Sequence, residues 1–288
     1  MSEKTRVARF SSRALISIDG EDWRSFLQGL LTQDVETIQP GEARFGALLT
    51  PQGRLLYDLF IIGRPDAGQG DGCWLDCAAE RRAALIQRLT IYRLRAKVTI
   101  TADAAPVSAA WGPAPVGKGW IADPRLPSLG WRGYGASAEA NANESDYDHH
   151  RLMLGVPGPA DWGEDASYPL EADFDLLHAI DFKKGCFVGQ ETTSRMKRRG
   201  TIKSRMLPIV FEGDTLAPGS EILAGTLRAG EVLSGVGGRA MALVRLDRIE
   251  GAALTVDGRA CTVERPRWCP SPLAGEGVSE ADGCGVED

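Results

Sequence analysis

The chain has 288 residues, 43% of them apolar, and 33 basic against 39 acidic side chains give it a net charge of −6. This is enough apolar material for one large or two to three small domains, and the charge balance excludes chain-wide attraction to nucleic acid or membrane. No apolar run reaches the roughly 18 residues of a membrane span, and MSEKTRVARFSSRALISI has no secretion-type apolar core, so a cytoplasmic protein is expected.

In chain order, EDWRSFLQGLLTQDV places Trp23, Phe26, Leu27, Leu30 and Leu31 at helical spacing, predicting an amphipathic helix from about Glu21 to Thr32. RFGALLT and RLLYDLFIIG, joined by PQG, read as a β-hairpin. CWLDCA then reads as a strand, AERRAALIQRLTIYR as a helix and AKVTITA as a strand. Helices on one face of a mostly antiparallel sheet are therefore expected, an α+β unit over residues 1–103.

Residues 104–145 are rich in Gly, Pro and Ala and predict weak strands and loops. DYDHHRLMLG reads as a helix stopped by Gly155 and Pro157, and YPLEADFDLL as an apolar strand-like run. A second α+β unit is placed at 104–201, where Val188 starts a helix ending near Arg199. Short β-rich runs punctuated by Gly, Asp and Pro predict a small barrel at 202–266. Residues 267–288, with one Arg against five acids, show no periodicity and are expected to be disordered.

GVGGRA at 235–240 matches a dinucleotide fingerprint only on paper, because a strand-like AMALVRL follows it where a helix is required. The six cysteines lack the paired spacing of a zinc site, so no metal centre is expected. His178 lies eight residues before Cys186, and nothing in the sequence requires the two to pair. Eight cations between Lys183 and Arg205 are opposed there by Glu191 alone, which reads either as a solvated face or as a patch for an anionic partner.

Within that run, KKGCFVGQE sets Cys186 beside Lys183 and Lys184 and close to a helix start. Such surroundings lower a thiol pKa and favour the thiolate, while the alternative is a small buried residue at a turn. Glu171, ahead of this turn, is either a carboxylate that can pair with amino-pyrimidine N–H groups or a cap.

KGCFVGQE followed by TTSRMKRR resembles the signature of the YgfZ-type folate-binding proteins, K-G-C-[FY]-x-G-Q-E with an Arg a few residues later. FLQGLLTQDV, LLTPQGRLLYDLFI, YRLRAKVTI, RLMLGVP and PLEADFDLLHAIDFKKGC agree in order, so the resemblance runs from about residue 10 to 250. It implies an α+β fold similar to the glycine cleavage T-protein: three subdomains around a central folate channel, the last a small C-terminal β-barrel. It further implies tetrahydrofolate or a derivative as cofactor, with Glu171 holding the pterin and Asp58, Tyr57, Gln190 and Lys183 completing the site. Where the T-protein has two adjacent acids, this chain has Tyr57 and Asp58, which opposes aminomethyl transfer.

The implied role is an accessory one in assembling or repairing iron–sulfur clusters of selected enzymes, a tRNA-modifying one among them. Cys186 is the functional thiol, with Lys184 and Arg195 supporting it, and iron–sulfur clients or cluster carriers are the implied partners. Three alternatives stand beside it: a folate-dependent aminomethyl- or methyltransferase, a module making weak RNA contacts through the basic run, and a Cys186 that only packs.

Overall fold

A computed structural model describes residues 4–64, 71–200 and 202–269. The first sheet has five strands in the order β3-β4-β5-β2-β6. They are β2 (Arg13–Asp19), β3 (Ala43–Leu49), β4 (Leu55–Gly63), β5 (Gly72–Ala78) and β6 (Thr99–Asp103). Helices α1 (Trp23–Gln28) and α2 (Arg82–Arg93) cover one face, where Trp23, Leu27, Leu85 and Leu89 are buried. The first helix is shorter than its apolar spacing predicts. Leu30 and Leu31 are buried from a turn instead, because Leu31 bridges to Leu48 of β3.

The second sheet runs β1-β7-β9-β8, from β1 (Arg6–Phe10), β7 (Val107–Trp111), β8 (Trp120–Ala122) and β9 (Trp131–Tyr134). Its edge strand β1 comes from the chain start and pairs antiparallel with β7, Ala8 opposite Ala109. The strands between Arg6 and Asp103 thus fall in two sheets: β1 lies in the second, and the chain crosses to the first between Phe10 and Arg13. Helix α3 (Glu144–Met153) starts at a capping box made by Asn143 and Asp146, and the short α4 (Pro159–Trp162) follows. YPLEADFDLL is a succession of turns rather than a strand, with Asp173 at φ 60°. Helix α5 (Gln190–Arg199) ends at Gly200.

The third unit is a closed barrel in the order β10-β13-β12-β11-β14-β15. Its strands are β10 (Ser204–Phe211), β11 (Glu221–Ala224), β12 (Leu227–Val236), β13 (Arg239–Arg245), β14 (Leu254–Val256) and β15 (Arg259–Val263), with the one-turn α6 (Leu246–Ile249) between β13 and β14. GVGGRA forms the β12–β13 hairpin, the strand context that excludes a dinucleotide site. Where the tail was expected to be disordered from residue 267, Trp268 donates to the Leu154 carbonyl at 2.9 Å and Cys269 is buried. An indole needs a partner for its N–H when packed, and this contact extends the folded body to residue 269. The rest of the expected tail, 270–288, lies outside the described residues.

One apolar cluster joins the three units: Phe45 and Phe60 of the first sheet, Val107 of the second, Phe174 of the turns, and Met206 and Met241 of the barrel. The face of β4 that carries Phe60 therefore looks into the junction. The face that carries Tyr57 looks toward α1 and α2.

Candidate functional site

Two places gather the residues singled out in the sequence, and they are separate. The first is the loop that carries Cys186. Asp181 Oδ1 accepts from the backbone N–H groups of Lys183 (2.7 Å) and Lys184 (3.2 Å), folding the loop into a side-chain-stabilised turn. The Lys184 ammonium then donates to the carbonyls of Gln28 (2.8 Å), Leu31 (2.6 Å) and Gln33 (2.7 Å) at the end of α1. Burial pushes its pKa down to about 8, against the attraction of Asp34, Asp181 and Glu36. Lys184 was expected to activate the thiol; its amine is instead committed to these three carbonyls.

The other side of the loop is fixed by a close backbone approach. Gly189 has φ +82°, and a Cβ there would stand 2.7 Å from the Thr50 carbonyl oxygen and 3.0 Å from Gly53 Cα. Only glycine fits, which explains both the GQ of the motif and the PQG turn it packs on. Phe187 is buried beneath the loop, while Cys186 is exposed. Among the described residues it is the one exposed cysteine. Cys73, Cys77, Cys261 and Cys269 are buried, and burial raises the pKa of each, Cys77 to about 12. Lys183 and Arg195 are exposed near Cys186 in sequence and form no ion pair among the described residues.

The second place is the junction of the three units, where the resemblance puts a folate channel. It holds a buried cluster of three arginines and three aspartates. Arg13 donates to Asp58 (2.6 Å) and Asp76 (2.6 Å), and Arg132 to Asp76 (2.7 Å). Arg125 binds both carboxylate oxygens of Asp123, at 2.9 and 2.8 Å, and the Tyr147 hydroxyl at 3.1 Å. Burial opposes the charge of Asp76, yet Arg13 and Arg132 hold its pKa below the usual carboxylate value. The three guanidiniums surround the Phe60 ring, Arg132 at 3.8 Å from its centroid.

The cavity left beside this cluster measures about 70 Å³ and is lined by Phe10, Arg13, Asp58, Phe60, Arg132 and Tyr147, among others. Small-molecule pockets run to roughly 300–1,000 Å³. Of the residues assigned to the pterin, only Asp58 reaches this cavity. Tyr57 faces the opposite side of β4, under the Arg81 guanidinium (4.1 Å), and Asp58 is spent on Arg13. Glu171 does not line the cavity and accepts from the Tyr168 N–H at 3.0 Å, acting as a cap. Gln190 and Lys183 belong to the Cys186 loop. The assigned residues do not form the pterin site that the resemblance implies.

Sequence reasoning missed Arg13, Asp76, Asp123, Arg125 and Arg132. The available signal was a single charge inside an apolar strand, as in CWLDCA, and a strand cannot bury such a charge without a partner.

The architecture has the fold of the glycine cleavage system aminomethyltransferase T from Bartonella henselae: TM-score 0.74, 16% identity, 92% of this chain and 86% of the other covered. Residues 203–271 match the family model of the CAF17 C-terminal beta-barrel domain. More particularly, the chain belongs to the IBA57 family of iron–sulfur cluster assembly factors. It is 32% identical to the mitochondrial IBA57 homolog of Pyricularia oryzae, over 82% of this chain and 70% of the relative. It is 29% identical to mitochondrial IBA57 of Homo sapiens, over 84% and 78%, and 36% identical to the Phaeosphaeria nodorum homolog, over 71% and 55%.

The chain spans little more than half the length of the Phaeosphaeria nodorum and Mycosarcoma maydis relatives, 55% and 58%. The YgfZ-type resemblance is thereby refined to a related family of another name. The cytoplasmic expectation is corrected as well, since these relatives are named as mitochondrial proteins. No helix among the described residues is long and apolar enough to cross a membrane.

Proposed function

We propose that this protein acts in iron–sulfur cluster assembly by presenting the Cys186 thiol as a ligand to a cluster in passage between a carrier and a client enzyme. The observation that carries the proposal is the exposure of Cys186 on a loop pinned from two sides, by Lys184 on the end of α1 and by Gly189 on the β3–β4 turn. A thiol held in this way keeps its position while remaining open to a partner. Membership of a family named for cluster assembly supports the same role.

The described residues contain no group of three His, Cys, Asp or Glu able to hold a metal ion. Cys186 supplies one ligand, and the others come from the partner or from a small thiol. Clients include the iron–sulfur enzymes implied by the sequence resemblance, a tRNA-modifying one among them. Tetrahydrofolate has no part in this mechanism. A transferase reading lacks the first of the two adjacent acids, since Tyr57 stands there, and the second, Asp58, is bound to Arg13.

Anaerobic incubation with a glutathione-ligated [2Fe–2S] cluster, followed by visible circular dichroism, tests the role. Wild-type protein is expected to take up the cluster and Cys186→Ser to lose it. Equal uptake by the variant would exclude the thiol.

A further inference from the structure

The outer face of α5 carries Glu191, Arg195, Arg198 and Arg199, all exposed and spaced to lie on one side of the helix. Lys183 and Lys203, also exposed, flank it. None of these five cations forms an ion pair among the described residues, in a chain whose net charge is −6. Arg198 Nε reaches only the carbonyl of Ser194, at 3.4 Å. Lys197, on the inner side, is tied to Asp175 at 3.4 Å, and Asp175 is bound to Arg205 of the barrel. The helix is therefore anchored through one cation while the others point outward.

Beside this face runs a groove of about 590 Å³, lined by Phe182, Gln190, Glu191, Ser194, Lys197 and Arg198. Phe182 is 36% exposed there, with the Lys197 ammonium 5.8 Å from its ring centroid. An exposed phenyl ring bordered by unpaired guanidiniums has the composition of a recognition surface, an apolar anchor site with a charged rim.

We infer that this groove and the α5 face are the docking surface for an acidic protein segment, a helix with carboxylates around an apolar side chain that seats against Phe182. The carboxylates meet Arg195, Arg198 and Arg199, and the contact sets the partner's cluster beside Cys186, four residues from Phe182 in the chain. The idea rests on the proposed role of Cys186, since it names the kind of partner that role requires. A polypeptide is favoured over RNA because the cations border a groove lined by the exposed Phe182 ring, a seat for an apolar side chain. The helix is also only about 15 Å long at 1.5 Å per residue, little room for a phosphate backbone to follow.

The probe is a synthetic 16-residue helical peptide with glutamates flanking one leucine stripe, titrated into the full chain by fluorescence anisotropy. Its controls are a scrambled peptide of equal composition and an oligouridylate of equal charge. Saturable binding is expected for the patterned peptide, weakening about tenfold or more between 50 and 300 mM salt as the charges are screened. The same loss is expected in the double variant Arg195→Glu, Arg198→Glu, and bound peptide should slow alkylation of Cys186 by iodoacetamide.

Phe182→Ala separates the apolar anchor from the charges and should weaken the patterned peptide more than the scrambled one. Equal binding of the scrambled peptide, tighter binding of the oligouridylate through the same arginines, or indifference to charge reversal would each overturn the inference. Cys186→Ser should leave peptide binding intact, so a failed cluster-uptake test and a failed docking test are read separately.

Discussion

The Lys184 ammonium lies 2.6 Å from the Leu31 carbonyl oxygen, and this contact, with those to Gln28 and Gln33, ties the cysteine loop to the end of α1. Lys184→Met keeps much of the aliphatic stem and removes all three charged hydrogen bonds. At roughly 1.5–3 kcal/mol for a hydrogen bond to a charged group, partly offset by the relief of burying the charge, the net loss is about 2–4 kcal/mol. Thermal unfolding should show it, and hydrogen exchange should rise at 181–188 more than in the barrel. Unchanged exchange in that segment would mean that the lysine does not hold the loop.

The second anchor is steric. Gly189→Ala places a methyl 2.7 Å from the Thr50 oxygen at a φ of +82°, so backbone strain of about 1–3 kcal/mol adds to the clash. The loop must move off the β3–β4 turn. The expected result is a lower Tm together with a changed alkylation rate of Cys186, whereas a merely destabilised but correctly placed loop would leave that rate unaltered below the transition.

At the junction, Arg132→Met leaves the Asp76 carboxylate buried with Arg13 as its remaining arginine. Breaking one side of a buried ion pair costs about 3–5 kcal/mol, and Arg132→Lys should recover little, because a lysine cannot reproduce the fork that reaches both Asp76 and Tyr134. Denaturant unfolding measures both. For wild-type protein, calorimetric titration with tetrahydrofolate should give no saturable binding, since the cavity beside Arg132 is about 70 Å³ and Asp58, the assigned carboxylate that lines it, is paired with Arg13. A saturable isotherm abolished by Glu171→Ala would return the pterin to the site.

Periodicity made the hairpin of β3 and β4, the strand β5, the helix α2 and the barrel legible, because each repeats an apolar pattern. Helix α5, with Met196 as its one apolar residue, was legible from the glycines ahead of it. Strand β1 was not, since its partner β7 is about 100 residues away in the chain. The surroundings of Cys186 left both a reactive thiol and a buried packing residue open, and the resemblance of KGCFVGQE pointed to the thiol. The roles of its neighbours could not be read there. A lysine next to a cysteine suggests activation, but where an amine reaches is set by the carbonyls the fold brings near, here those of Gln28, Leu31 and Gln33. Glu171 misled for the same reason: a carboxylate three residues after Tyr168 caps a turn whether or not a ligand is near.

Asp173 allows a prediction whose sign depends on pH. Its side chain is fully buried, Oδ1 accepts from Arg205 at 2.7 Å, and Oδ2 has no partner. Burial raises its pKa to about 7, although Arg205 pulls the other way. A carboxyl whose folded pKa lies above its unfolded value favours folding most when protonated, so its contribution falls as pH rises from about 4 through 7. Asp173→Asn keeps the acceptor for Arg205, removes the charge and tolerates the left-handed φ of 60°. The variant should therefore melt higher than wild type at pH 8, by about 2–4 °C for each kcal/mol gained, with the gap narrowing below pH 7 and closing near pH 4. Melting curves across that range measure it. A constant gap would show that Asp173 does not titrate there, and a lower Tm at pH 8 would show that its charge is needed by Arg205.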